Sequence, residues 1–163
     1  MTYTEVKTML KVALVGVGGI SGAHIPAWKS MPDVQLVALC DVRPEQMDTY
    51  DNVNKYTDFT EMLDKESIDI LDICLPTYLH ADYAIMAMDR GIHVLSEKPI
   101  SLHKADVQRV YDAARRNNVR FMVAQVLRFW PEYLKLKEFI DNGTYGKVLS
   151  GTMQRLGNHP TWS

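Results

Sequence analysis

The chain has 163 residues, which fits one domain and leaves little room for two. Its composition, 47% hydrophobic and 23% charged, is that of an ordinary globular protein with apolar side chains for one sizeable core. A formal charge of −2 gives neither nucleic acid nor an anionic membrane an electrostatic reason to bind, and no run approaches the ~20 apolar residues needed to cross a bilayer.

Residues 1–9 are polar and lack the apolar stretch of an export signal, so they are read as a leader and the protein as cytoplasmic. Cys40 and Cys74 each sit in an apolar run, where a free thiol behaves as a small hydrophobe, and no Cys/His spacing suggests a metal.

From residue 10 onward, short apolar runs alternate with segments of helical period. Leu10–Val15, Val34–Cys40, Ile68–Leu75, His93–Leu95 and Phe121–Val126 read as buried strands, with Lys55-Tyr56-Thr57 as a very short sixth. Between them, Ala81, Ala84, Ile85 and Met88 form one apolar stripe, and Val107, Val110, Tyr111 and Ala114 form another. A short helix is expected at Asp58–Asp64. Gly91 and Gly143 are placed to end helices, and Pro131 to begin one. Pro26 interrupts the first helical segment, where a kink or restart is expected. Beyond residue 145, Gly146–Gly157 reads as a further strand that would open a second domain, cut short at residue 163.

This alternation predicts an α/β fold, a doubly wound and mainly parallel sheet of the Rossmann type with helices on both faces. Residues 10–145 form the dinucleotide-binding domain in this reading, and 146–163 the start of a truncated substrate domain.

Gly16-Val17-Gly18-Gly19-Ile20-Ser21-Gly22 lies directly between the first strand and the first helix. A pyrophosphate site there needs a tight turn, a backbone without Cβ, and a small residue where helix meets strand. Gly16 and Gly18 meet the first two needs, and Ser21 stands where a third glycine is usual. The amides of Gly19 and Ile20 would then face the phosphates. Asp41, at the end of the second strand, is placed to accept from adenosine ribose hydroxyls, favouring NAD over NADP. Arg43 keeps NADP possible, and Asp41 could instead serve as a cap or turn residue before Pro44. Ser96-Glu97-Lys98-Pro99 follows the fifth strand at the same sheet edge, where the Lys98 ammonium could hydrogen-bond a substrate oxygen. Taken alone, Glu-Lys-Pro is more often an exposed charged turn.

Gly16–Gly22 with His24 and Pro26, Ile73-Cys74-Leu75-Pro76-Thr77 with His80, and Gly91–Pro99 together resemble the glucose–fructose oxidoreductase / inositol dehydrogenase (Gfo/Idh/MocA) family. The similarity continues through Arg128-Phe129-Trp130-Pro131 and Gly143–Val148. It implies an N-terminal Rossmann domain joined to a C-terminal α/β domain, assembled as homo-oligomers, moving hydride between a sugar or cyclitol carbinol and nicotinamide. It further implies that the backbone around Leu75, Pro76 and Thr77 lies along the cofactor, Glu97 near its ribose, Lys98 at the reacting hydroxyl, and Gln125 and Arg128 at the nicotinamide end; His80, opening a helix below the cleft, is read as a cofactor or a structural contact rather than a proton carrier. The family's further catalytic histidine belongs to the C-terminal domain. The resemblance departs at Ser21 and at Leu75-Pro76-Thr77, where Thr-Pro-Asn is frequent. His24 is expected to bond main chain. A non-catalytic nucleotide-sensing module, or a dehydrogenase acting on an imine or a tetrapyrrole precursor, remain alternatives on the same fold.

Overall fold

The structure, a computed structural model, describes residues 9–157. The chain forms two compact units divided between Ala124 and Gln125. The elements in order are β1 (Leu10–Val15), α1 (Ser21–Ser30), β2 (Val34–Cys40), a 3-10 turn (Pro44–Met47), β3 (Asn54–Tyr56), α2 (Phe59–Lys65), β4 (Ile70–Ile73), α3 (Thr77–Met88), β5 (His93–Ser96), α4 (Lys104–Arg116), β6 (Phe121–Val123), a second 3-10 turn (Val126–Phe129) and α5 (Pro131–Asp141).

The first unit holds one parallel sheet in the order β3-β2-β1-β4-β5-β6. The order reverses direction between β1 and β4, the place where open α/β sheets part their loops and bind ligands. The strand ends are flush. Tyr56, Cys40, Val15, Ile73, Ser96 and Val123 form one continuous register row across the sheet, so the residues that follow them emerge along a single edge.

Alternation along β1 feeds a core on each face. Val12 and Leu14 pack with Ile25 of α1 and Met47, while Ala13 and Val15 pack with α2, α3 and α4 through Met62, Ala84, Met88 and Val110. The expected stripe on α3 is buried at Ala81, Ala84 and Met88. On α4 the buried face is rotated: Val110 and Ala113 are buried, whereas Val107 and Tyr111 are exposed, because α4 covers only the margin of the sheet at β5 and β6.

Helix ends follow local chemistry. Asp58 caps α2 by accepting the Glu61 amide at 2.7 Å. At the end of α3 the Ile92 amide donates to Ala87 and the Gly91 amide to Met88, with Gly91 at φ +78°, which is a Schellman ending. Asn118, at φ 52°, closes α4 with the same pair of bonds. Helix α1 continues through Pro26 without a restart, and the carbonyl that loses its partner is that of Gly22, within the first turn.

Two strands are shorter than expected, β4 by two residues at each end and β6 by three at its far end, because the chain turns at Leu75-Pro76 and again at Val126. The larger correction concerns 146–157. Residues 147–157 form no strand, and Leu149, Met153 and Leu156 are exposed. Their main chain has no neighbouring strand to bond, and apolar content alone does not make a strand. Residues 158–163, and all of the proposed leader except Met9, lie outside the described residues.

The second unit consists of the turn Val126–Phe129 and α5, with Pro131 in its first turn as expected and Trp130 and Tyr133 in ring contact at 6.2 Å. Among the described residues, no helix is long and apolar enough to cross a membrane.

Candidate functional site

The flush edge collects the glycine loop after β1, Asp41 after β2, Cys74 to Thr77 after β4, and Glu97 and Lys98 after β5. Gly16 makes the turn at φ +92°, and a Cβ there would meet the Cys74 carbonyl carbon and oxygen at 2.7 Å. No other residue type fits. At Gly18 and Gly19 a Cβ would meet nothing within 4 Å, so the loop keeps an open surface beside the start of α1. Ser21, buried, closes the loop by donating its hydroxyl to the Gly18 carbonyl at 2.6 Å. The Gly19 and Ile20 amides find no acceptor among the described residues, as the first amides of a helix require an outside partner. Bare backbone, free amides and a helix dipole together fit a pyrophosphate.

Asp41 is buried and serves this loop directly. Its Oδ2 accepts the Val17 amide at 2.8 Å, and its Oδ1 accepts the Arg43 amide at 2.9 Å. One oxygen thus braces the glycine loop and the other the turn that leads to Pro44. The Arg43 side chain is exposed, with Nε 3.7 Å from the same Oδ1.

Across the crevice, Leu75, Pro76 and Thr77 lead into α3, with Thr77 as its first residue. His80 makes a structural contact, one of the two roles expected of it. It is 1% exposed, and its two nitrogens face the carbonyls of Leu75 and Pro99, each at 2.7 Å. A ring engaged at both nitrogens has nothing to offer a cofactor. It instead ties the residue before Pro76 to the residue after Lys98.

Glu97 is buried and Lys98 exposed, joined to Pro99 by a cis peptide bond. The Glu97 Oε2 accepts the Lys98 amide at 3.1 Å, while the Lys98 ammonium has no hydrogen-bond partner among the described residues. Gln125 and Arg128 belong to the second unit, where the Arg128 amide donates to the Gln125 carbonyl at 3.0 Å.

Beneath the edge lies a polar cluster that sequence reading missed. His24 bonds carboxylates rather than main chain: Nδ1 is 2.8 Å from Asp72 Oδ2, and Nε2 is 3.1 Å from Glu97 Oε1. Trp28, one turn further along α1, donates its indole N–H to the same Asp72 oxygen at 2.6 Å. Asp72 is fully buried. The Asp72 hydrogen bond holds the His24 imidazole above its ordinary value of 6.5, against the opposing effect of burial, and Glu97 adds to the rise. Signals did exist in the sequence: a carboxylate inside the apolar run of β4, and a histidine and tryptophan four apart on α1.

His24, Asp72 and Cys74 bring one donor atom each within 4.8 Å of one another. Burial pushes the Cys74 thiol far up, away from the thiolate a metal needs, and Asp72 already accepts from two donors. The cluster is a hydrogen-bonded one.

The profile of the Gfo/Idh/MocA oxidoreductase family, NAD-binding Rossmann fold, matches residues 10–125. Myo-inositol 2-dehydrogenase of Thermotoga maritima is 32% identical over 85% of this chain and 42% of its own length. Levoglucosan dehydrogenase of Pseudarthrobacter phenanthrenivorans is 30% identical over 86% of this chain and 39% of its own. Among solved structures, scyllo-inositol dehydrogenase of Lactobacillus casei with bound NAD(H) and scyllo-inositol superimposes with a TM-score of 0.81 at 26% identity, over 85% of this chain and 43% of that one. The chain thus spans about two-fifths of the length of the relatives it matches.

Proposed function

Because the chain belongs to the Gfo/Idh/MocA oxidoreductase family and carries its NAD-binding Rossmann fold, we propose that it is the cofactor half of a dehydrogenase acting on a CH–OH group of a sugar or cyclitol. The observation that carries this reading is the position of Lys98: a lysine with an uncommitted ammonium, at the exit of β5, on the same sheet edge as an open glycine loop.

Gly16 shapes the turn, the Gly19 and Ile20 amides receive the pyrophosphate, and Asp41 faces the adenosine ribose while bracing the Val17 amide. A 2′-phosphate would meet the Asp41 carboxylate, so NADH is the preferred form and NADPH the weaker one. When bound, the nicotinamide accepts or returns the hydride. Lys98 donates a hydrogen bond to the carbinol oxygen and favours charge on it as its proton leaves. The proton itself goes to a base in the remaining three-fifths of the relatives' length. In this reading residues 10–145 are the cofactor domain and 146–163 lead into a substrate domain, and the whole enzyme is an oligomer.

Calorimetric titration of the chain with NADH and NADPH tests the cofactor part; equal or stronger NADPH binding would contradict the role of Asp41. In an enzyme of the relatives' full length, Lys98→Met should leave NADH affinity nearly intact and remove most turnover. Unchanged turnover would refute the role of Lys98, whereas absence of turnover in the full-length parent would favour a nucleotide-sensing module. The 163-residue chain alone should bind NADH and catalyse almost nothing, because in this reading the proton-accepting base lies in the part of the relatives' length that the chain does not span.

A further inference from the structure

The described hydrogen bonds form an unbroken line from the middle of the sheet to position 98. Trp28 and His24, both from α1, bond Asp72 inside β4. The other His24 nitrogen bonds Glu97 Oε1, and the second Glu97 oxygen accepts the Lys98 amide. The three ionisable side chains are 12%, 0% and 9% exposed for His24, Asp72 and Glu97.

An imidazole between two carboxylates has only one arrangement that satisfies both. A carboxylate accepts and does not donate, so each ring nitrogen must carry a hydrogen, and the ring must be an imidazolium. A neutral ring would donate to one partner and turn a lone pair toward the other. In so dry a place that mismatch is not relieved by water.

We propose that His24 is a positioning residue for the Glu97-Lys98 segment: its second ring proton holds the Glu97 carboxylate in the pose that accepts the Lys98 amide, and loss of that proton releases the segment. Among the described residues the titratable groups facing the ring are Asp72 of β4, Cys74 just after β4, and Glu97 from the exit of β5. Cys74 is a neutral thiol throughout the working range, so the two carboxylates decide the outcome. The same helix begins at the glycine loop, so the pyrophosphate end and the Lys98 end of the site share one anchor. The effect on cofactor rests on the functional reading given above; the effect on the Lys98 amide does not.

The test is nitrogen-15 spectroscopy on the chain. Below the His24 midpoint both ring nitrogens should give protonated-type signals, and the Lys98 amide should shift with the same midpoint as the ring. In the parent chain NADH affinity should weaken severalfold through that step; in His24→Gln the amide step should vanish and the affinity should become flat with pH. Trp28→Phe removes the other donor to Asp72 but leaves the Glu97 bond, so it should lower stability and keep the step. A ring with one bare nitrogen at pH 6, an amide that ignores the ring's titration, or a step surviving in His24→Gln would overturn the inference. Should His24→Gln fail to fold, the parent and Trp28→Phe titrations still decide. Lys98→Met keeps the amide at position 98 and should keep its step, so loss of the ammonium's role in turnover and loss of this coupling are separately visible.

Discussion

A side-chain carbon at Gly16 would stand 2.7 Å from the main-chain carbonyl of Cys74, although the two residues leave neighbouring strands 58 positions apart in sequence. The contact closes the crevice floor between β1 and β4. The nearby Gly18 has open space in the same direction. Replacing each with alanine should therefore give opposite results. Gly16→Ala combines a backbone collision with a positive φ and should destabilise by about 1–3 kcal/mol or more. Gly18→Ala should leave the urea midpoint nearly unchanged and weaken NADH at least about tenfold, equivalent to ~1.4 kcal/mol. Chemical denaturation and calorimetry on the two variants separate these outcomes.

Asp72 is the keystone of the buried cluster and sits where β4 should be wholly apolar. Asp72→Asn keeps the shape, and its carbonyl oxygen can accept from both His24 and Trp28, but it removes the negative charge facing the buried imidazolium. The expected loss is about 3–5 kcal/mol in unfolding free energy, measured in urea at pH 6. A loss below ~1 kcal/mol would mean the cluster contributes little to the fold.

The pH dependence has a definite sign. His24 in the folded chain lies above its ordinary 6.5, so its stabilisation is full below about pH 6.5 and is lost as pH rises through the folded value. The stability difference between the parent chain and His24→Gln should accordingly be largest on the acid side and shrink toward alkaline pH. A constant difference from pH 5.5 to 9 would contradict it.

The end of α3 offers a check on backbone conformation alone. A Cβ at Gly91 would touch nothing within 4 Å, yet φ is +78° there. Gly91→Ala should cost about 1–2 kcal/mol, the ordinary penalty for a left-handed residue. Gly91→Asn should cost less, since Asn118 already closes α4 in that conformation. Thermal melts of the two variants would rank them.

The bounds of β1 and β2 were legible to the residue because Gly16 and Asp41 punctuate them sharply. The glycine loop was equally legible, since its chemistry is local. What escaped was pairing across long separations. His24 and Asp72 are 48 positions apart and His80 and Pro99 are 19, and nothing in either sequence neighbourhood names its partner. The segment 146–157 misled for a related reason: a strand is a property of two segments, and apolar residues in one do not supply the other.

The level ending of the six strands separates ladder from rim. The first residues past that row are still tied to it by main chain, the Gly16, Asp41, Cys74, Glu97 and Ala124 amides donating to Cys40, Tyr56, Val15, Ile73 and Ser96, so the rim differs from the ladder in its side chains and not in its backbone. In the proposed reading, a side-chain exchange at Asp41 would retune the choice of nucleotide and one at Lys98 the chemistry, with the ladder below left as it stands.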